Sequence, residues 1–447
     1  MFFEDKYYKR ALRVAWPAVL EFFFVSIADI IDTFMVSAMG PSAVAAIGLT
    51  TQPKFIALSI FIAINAALSA LIARRQGEGN RYKANQTLVT SLFIILVFVI
   101  ITDLIFIPLA PAFMRFAGSN PDTHDLSVKY FRIIMIGIIF TALSTAINGA
   151  HRGSGNTQIA FTTNVVSTIV NIFFNFLLIN GNLGFPALGV TGAAIATVMG
   201  TVSSTIMCFL SLSRSESYLN FKHMFVREIK FDKKIARDIF PLASNIFVEG
   251  ISARIGFLIT AITAAGLGTN AFAAHNVGMN LLSLTFAFGN GMQVAAISLT
   301  GNALGEGDKN KALTYGKVSQ QIGLGISLVL ALIIWVFGRN IFGLFFSEAD
   351  ILDYSRIITG FLGFIVIFQI SQVIYGGCLR AAGDVRYTLF IALLSVTFIR
   401  TIVTLTSVHL LGLGLVGIWM GILSDQLTRI ITLRSRFYKG KWLDMKI

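Results

Sequence analysis

Long apolar stretches alternate with short polar or glycine-containing connections along nearly the whole chain. An α-helix needs about 20 predominantly apolar residues to cross the hydrocarbon core of a bilayer, so each stretch predicts one membrane-spanning helix. The pattern predicts twelve spans, near residues 14–38, 51–73, 87–109, 130–150, 159–180, 187–213, 236–262, 277–303, 313–337, 356–378, 387–409 and 413–435.

The second half of the chain repeats the first half at a fixed offset. The turn at residues 77–80 (GEGN) returns at 305–308 (GEGD), and residues 152–155 match residues 380–383, so the offset is 228 (305 − 77). Both copies run in the same direction, and the spacing accommodates six spans in each. We therefore predict an all-α integral membrane protein of twelve transmembrane helices in two pseudo-symmetric six-helix bundles, an architecture typical of transporters with a site between the copies.

The boundary between the copies is predicted at the longest charged connection. We expect an N-terminal bundle at 1–213, a cytoplasmic linker at 214–238 and a C-terminal bundle at 239–447. The linker mixes acidic and basic residues in an amphipathic pattern. It can lie along the membrane surface as a helix or serve as a solvated connector, and the sequence favours neither.

Composition and charge fit this architecture. The chain has 55% hydrophobic residues, 13% charged residues and a mean hydropathy of +0.77, values outside the range of soluble domains. The net charge of +13 comes from Lys and Arg concentrated at both termini and at the connections after spans 2, 4, 6, 8 and 10. By the positive-inside rule, both termini are cytoplasmic and the protein is a multi-pass protein of the cell (inner or plasma) membrane. Basic residues so distributed do not predict a nucleic-acid partner.

Cysteine, histidine and glycine motifs predict no metal centre, cofactor or enzymatic site. Cys208 and Cys378 are far apart within apolar spans, and the five histidines lack ligand spacing. Residues 412–417 match GxGxxG, but they stand at a turn between two spans, where glycines let neighbouring helices approach closely. Because no set of nucleophile, base and orienting residue is visible, we predict that the chain is not an enzyme.

Ionisable residues inside the spans are the candidates for function, because a charge at the bilayer centre costs roughly 2.5–3.5 kcal/mol even on insertion scales. Span 1 carries Glu21, Asp29 and Asp32, whose spacings bring them to nearly one helix face. A carboxylate in a low dielectric can be neutral or charged near physiological pH, which proton coupling requires. The alternative is that Asp29 and Asp32 pair with Lys54 or Arg132 to stabilise the bundle.

Span 5 offers polar partners for these acids. Asn171 and Asn175 stand four residues apart and so share a helix face. Amides can orient a carboxylate without forcing its ionisation, so we predict a proton-coupling site of Asp32, Asp29, Asn171 and Asn175. Hydrogen bonding between helices is the alternative role of the two amides.

A second set of residues consists of candidate substrate contacts. Aromatic faces and carboxylates attract lipophilic cations, which points to Phe34, Glu249, His275 and Glu21. For His275, at the start of span 8, a hydrogen bond between helix ends is the alternative to contact with a substrate or proton.

Short segments spread over nearly the whole chain carry a family resemblance. They are residues 32–40 (DTFMVSAMG), the turn after span 2, residues 171–181 (NIFFNFLLING), 273–276 (AAHN) leading to 301–305 (GNALG), and 380–384 (RAAGD). Together they resemble the multidrug and toxic compound extrusion (MATE) family, most closely its DinF-like branch. The resemblance implies a multidrug efflux antiporter of two six-helix bundles. It would expel lipophilic or cationic compounds in exchange for protons or sodium ions by alternating access, with ion coupling at Asp32.

The chain departs from the family pattern at two places. Some relatives carry an Asp where Asn175 stands. Sodium-coupled relatives pair a Glu of span 7, matched by Glu249, with an Asp of span 10, where this chain offers only Gln369, Ser371 and Gln372. We therefore expect protons rather than sodium to drive transport, without a bound cofactor.

Two alternatives stay open on the sequence. One is sodium coupling. The other is a flippase for lipid-linked precursors, for which Arg254 and Arg400 are candidate headgroup contacts, although Arg254 could equally neutralise Glu249. The expected partners are small-molecule substrates and membrane lipids, and the sequence does not decide the oligomeric state.

Overall fold

A computed structural model describes residues 2–37, 39–214, 217–343 and 349–445, and within these ranges the chain is helical with no β-strand. The first half of the described chain contains nine α-helices. They are α1 (Phe2–Ser37), α2 (Pro41–Gly77), α3 (Arg81–Phe106), α4 (Ala110–Phe116), α5 (Pro121–Ile136), α6 (Ile138–Gly153), α7 (Thr157–Asn180), α8 (Val190–Ser213) and α9 (Phe221–Val226).

The second half contributes seven more α-helices. They are α10 (Lys233–Ala265), α11 (Thr269–Gly305), α12 (Lys309–Gly343), α13 (Ala349–Ala381), α14 (Val385–Ala392), α15 (Arg400–Leu405) and α16 (Gly414–Tyr438). Two π-helical segments, Leu393–Ile399 and Thr406–Leu410, continue α14 and α15 into one long element. Arg400 lies between these segments, and π-helical turns within α-helices are frequent at functional sites.

The helices agree with the predicted spans. Among the described residues, ten helical segments are long and apolar enough to cross a membrane, and α5 with α6, bent by 46°, makes an eleventh. The twelfth predicted span is α16, which has 25 residues and carries Asp425 and Arg429 within its apolar sequence. The prediction of an all-α protein with twelve spans is confirmed.

The repeat is visible in the helix boundaries. Helix α2 ends at Gly77 and α11 ends at Gly305, and the next helices, α3 and α12, begin 228 residues apart at Arg81 and Lys309. The repeated turn between them needs a left-handed backbone, which glycine adopts without strain. The backbone of this turn is left-handed at Gly79 (φ 67°) in the first copy and at Gly307 (φ 79°) in the second.

The chain divides into two compact units. One, which we call the N-lobe, comprises residues 23–244, and the other, which we call the C-lobe, comprises residues 1–22 and 245–447. The division runs through α1 and α10, so the first part of α1 clusters with the C-terminal half of the chain. The predicted lobe and linker boundaries (1–213, 214–238 and 239–447) stay a prediction.

Small residues set the helix spacing, as the glycine-rich sequence indicated. A β-carbon at Gly192 of α8 would lie 2.4 Å from the Leu178 carbonyl oxygen of α7. In the GxGxxG segment, Gly412 and Gly414 have left-handed φ values of 63° and 52°, and Gly417 packs too closely on its neighbours for a β-carbon. The segment is a turn and a helix contact, as predicted.

The connection between α8 and α10 is held to α3 by hydrogen bonds. Arg81 donates from Nε to the Tyr218 carbonyl oxygen (2.8 Å) and from Nη2 to the Ser217 carbonyl oxygen (2.7 Å). The amide N–H of Asn220 donates to Asn85 (3.1 Å). Partial burial, with Arg81 and Arg227 nearby, lowers the pKa of His223 in α9. Within the described part of this connection, the short helix α9 is the only element of regular secondary structure.

Candidate functional site

The predicted proton-coupling acids lie in the second half of α1. The backbone there is helical to Ser37. The side chains of Asp29, Asp32 and Phe34 lie outside the described residues, so their assignment as coupling and substrate residues stays a prediction.

The predicted amides of α7 form a short polar row inside the N-lobe. Asn175 is 2% exposed and Asn171 is 7% exposed. Nδ2 of Asn175 lies 3.3 Å from Oδ1 of Asn171, and Nδ2 of Asn171 lies 3.4 Å from Oγ1 of Thr197 on α8. Thr197 in turn donates to the Ala193 carbonyl oxygen. These buried groups are uncharged, so the row supplies dipoles to α7 without fixing the charge of a neighbouring acid.

Glu21 belongs to the part of α1 that clusters with the C-lobe. Its side chain is 2% exposed. Two residues earlier, Val19 packs so closely on α11 that a β-carbon at Gly291 would lie 2.5 Å from the Val19 Cα. The fold therefore encloses this carboxylate, and its assignment as a substrate contact stays a prediction.

Glu249 of α10 lies at the wall of a cavity of about 130 Å³ inside the C-lobe. Nη2 of Arg380, on α13, lies 2.6 Å from Oε1 of Glu249, and Oγ1 of Thr388 lies 3.4 Å from Oε2. The carboxylate is thus neutralised by Arg380, a residue that the sequence marked only as part of a repeated motif. The polar residues of the cavity wall are Glu249, Gln293, Gln372, Arg380, Thr388 and Arg429.

A second ion-paired group lies between α15 and α16. Nε of Arg429 lies 3.0 Å from Oδ1 of Asp425, and Nη1 of Arg400 lies 3.7 Å from Oδ2 of Asp425. Arg400 and Asp425 are both 1% exposed, and the Arg400 guanidinium lies over the Phe257 ring at 4.6 Å. Arg429 also donates to the Ser395 hydroxyl (2.9 Å). The sequence indicated Arg400 as a candidate headgroup contact but not this pairing.

His275 is buried in the C-lobe beside an aromatic ring. It is 2% exposed, and its ring stands edge-on to Trp419 with 5.8 Å between centroids. Its Nδ1 has no hydrogen-bond partner within the described part of the chain. The geometry is that of a packed core residue, and a role in binding substrate stays a prediction.

Comparison with known proteins supports the family resemblance. The MatE family model matches residues 17–177 and again 246–406, more than half of the chain and one match in each copy of the repeat. The chain belongs to the MatE family. Because MatE proteins are membrane transporters, it is a multi-pass membrane transporter and not an enzyme.

Individual MatE relatives match over nearly their full length. The chain is 27% identical over 437 residues to a probable multidrug resistance protein NorM of Thermotoga maritima, covering 97% of this chain and 93% of that protein. It is 25% identical to the probable multidrug resistance protein YoeA of Bacillus subtilis, covering 91% and 88%. An outward-facing multidrug resistance MATE transporter of the MOP superfamily shares the fold, with a TM-score of 0.90 at 22% identity and 97% of each chain covered.

Proposed function

We propose that this MatE protein is a multidrug efflux antiporter that exports lipophilic or cationic compounds in exchange for protons, with coupling at Asp32. Its relatives in Thermotoga maritima and Bacillus subtilis carry the name of multidrug resistance proteins. The driving force is the proton gradient across the cell membrane, no cofactor takes part, and both termini face the cytoplasm, in keeping with the distribution of Lys and Arg.

The observation that carries the assignment against sodium is the ion pairing of two C-lobe carboxylates, one of them Glu249, the position that matches the Glu of sodium-coupled relatives. Glu249 is paired with Arg380, and Asp425 with Arg429 and Arg400. A proton or sodium ion that bound either carboxylate would have to displace a guanidinium group. The amides of α7 are uncharged, so an acid that hydrogen-bonded to them would stay free to titrate. We therefore place coupling in the N-lobe.

The proposed cycle follows from one titrating carboxylate. With Asp32 charged, a lipophilic cation binds from the cytoplasm or inner leaflet against this acid and aromatic side chains such as Phe34. After the protein opens outward, protonation of Asp32 removes the attracting charge and the compound leaves. Glu21, Glu249 and His275 are proposed as further substrate contacts.

The ratio of protons taken up to cations exported can be tested by experiment. If Asp32 alone titrates, one proton enters for each monovalent cation expelled and no net charge moves. The membrane potential, which supplies about 2.3 kcal/mol per charge per 100 mV, then cannot drive export. Purified protein in liposomes should transport a monovalent dye under a pH gradient and not under a potential alone. Export driven by voltage alone, or by a sodium gradient at equal pH, would refute the proposal.

Lipid-linked precursor flipping is retained as the second candidate because Arg380 and Arg429 both line the C-lobe cavity. Both are engaged with carboxylates, which favours the efflux assignment. A flippase would move a fluorescent lipid with an anionic headgroup between leaflets at a rate that Arg429→Gln lowers, and cation efflux would be absent.

A further inference from the structure

The connection between α8 and α10 is attached to α3 at the edge of the apolar part of that helix. The amide N–H of Asn220 donates to Oδ1 of Asn85 (3.1 Å). Further along the connection, Nε2 of Gln86 lies 3.5 Å from the Lys230 carbonyl oxygen. The apolar stretch of α3 begins at residue 87, about 1.5–3 Å further along the helix axis. Both attachments are therefore level with the start of a membrane-spanning stretch.

The residues that follow lie beside the apolar part of α3. The amide N–H of Asp232 donates to the Thr90 hydroxyl (3.2 Å), and the rings of Phe231 and Phe93 pack with 5.1 Å between centroids. Phe93 is six residues, or about 9 Å, inside the apolar stretch, and it is 53% exposed. An exposed apolar side chain at that depth of a membrane-spanning helix faces lipid. The connection therefore follows the membrane boundary instead of projecting into solution.

The short helix α9 exposes apolar side chains at this boundary. Phe225 is 78% exposed and Val226 is 72% exposed, whereas Met224 and Ile229 are buried. Two faces of the segment thus carry apolar groups, and only one of them is covered by the protein. Apolar side chains at the level of the headgroups gain free energy by entering the boundary between headgroups and acyl chains.

Basic side chains accompany the exposed apolar ones. Residues 222–234 contain five Lys or Arg and two acidic residues. Lys222, Arg227 and Lys230 are exposed, and no ion pair between described residues includes them. Basic and aromatic side chains together at a membrane boundary are typical of elements that bind anionic lipids. The charge therefore favours acidic headgroups over zwitterionic ones.

We infer that residues 220–234 form a docking surface for anionic phospholipids. Phe225 and Val226 enter the boundary of the acyl chains, and the exposed basic side chains bind headgroup phosphates. By the positive-inside rule, the surface faces the cytoplasmic leaflet. Of the two possibilities that the sequence leaves open for the linker, the surface element is selected over the solvated connector. The inference does not depend on which ion drives transport.

Spin labelling measures the depth of Phe225 in the bilayer. Both cysteines of the chain are buried, so a cysteine introduced at an exposed position can be labelled selectively in the full-length protein. Phe225→Cys is compared with two exposed reference positions on α3, Lys83→Cys before the apolar stretch and Ile100→Cys inside it. In bilayers with phosphatidylglycerol, the label at position 225 should be more accessible to oxygen, and less accessible to a water-soluble nickel complex, than the label at position 83.

The dependence on lipid charge tests the role of the basic side chains. In phosphatidylcholine bilayers, or at high ionic strength, the label at position 225 should become more accessible to the nickel complex, because phosphate charges are balanced or screened. Soluble glycerol phosphate, added to phosphatidylcholine bilayers, should not reverse this change, since it carries no acyl chains.

Two triple variants of the labelled protein locate the headgroup contacts. Each removes the charge of two Lys and one Arg at exposed positions, the first in the docking surface and the second in the C-lobe: Lys222→Gln/Arg227→Gln/Lys230→Gln and Arg386→Gln/Lys439→Gln/Lys441→Gln. The first variant should lose the dependence on lipid charge. The second is the matched control and should keep it.

Several results would overturn the inference. Equal nickel accessibility at positions 225 and 83 in anionic bilayers would make the connection a solvated linker. A depth that is independent of lipid charge in the parent, or a dependence that persists in the first triple variant, would exclude headgroup binding by these side chains. Reversal by glycerol phosphate would assign the surface to free phosphate compounds. Spin–spin broadening between labels at position 225 would place a second copy of the chain on this surface.

Discussion

Removing Arg380 should destabilise the C-lobe by leaving Glu249 without its partner. The Arg380→Met variant keeps most of the length of the side chain but deletes the guanidinium group that lies 2.6 Å from the carboxylate. Breaking a buried ion pair on one side costs about 3–5 kcal/mol. Because the two side chains retain 22% and 14% exposure, we expect the lower end of that range.

The double variant Arg380→Met/Glu249→Gln tests whether the loss comes from the pair itself. It removes both charges and leaves an amide near Thr388, so most of the stability lost in the single variant should return. Unfolding is followed by intrinsic fluorescence in detergent at fixed chloride, for the parent, both single variants and the double variant. Neighbouring charges in such a cycle couple by about 0.5–3 kcal/mol. Strictly additive effects would refute the assignment of Arg380 as the partner of Glu249.

Two further predictions concern the N-lobe. Gly192→Ala should lower the unfolding temperature measurably, because its methyl group would lie 2.4 Å from the Leu178 carbonyl oxygen. The control Gly325→Ala, in α12 of the C-lobe, adds a β-carbon that meets no neighbouring helix within 4 Å and should not lower the unfolding temperature. Equal effects would contradict the close approach of α7 and α8. Arg81→Ala should speed tryptic cleavage of the connection between α8 and α10, because the hydrogen bonds from Arg81 to the carbonyl oxygens of Tyr218 and Ser217 are lost. Cleavage at the parental rate would show that other contacts hold the connection.

The repeat explains why so much of the fold was predictable. Apolar runs long enough to cross a membrane occur in each copy, and the 228-residue offset recurs at helix ends such as Gly77 and Gly305. The π-helical segments on either side of Arg400 were not predictable, because a π turn depends on local packing and not on a hydrophobic period.

The candidate site was predictable in part. The shared face of Asn171 and Asn175 followed from their spacing, and their hydrogen bond confirms it. Ion pairs between distant helices leave no periodic pattern, so the Arg380 partner of Glu249 was missed. One indication was present: Glu249 and Arg380 stand 228 residues after Glu21 and Arg152, residues of the same types.

Other expectations stay predictions. Membership in the MatE family is shown by the two matches of its model, whereas the DinF-like branch rests on the resemblance of short sequence segments. The role of Asp32 rests on the same resemblance and on the ion pairing of Glu249 and Asp425 in the C-lobe.

The most direct test is dye efflux from liposomes under an imposed pH gradient, comparing the parent protein with Asp32→Asn. Asp103→Asn, which changes a carboxylate of α3 in the same way, is the matched control. We expect Asp32→Asn to abolish efflux driven by the pH gradient and Asp103→Asn to retain it. Parental efflux by Asp32→Asn would contradict coupling at this residue.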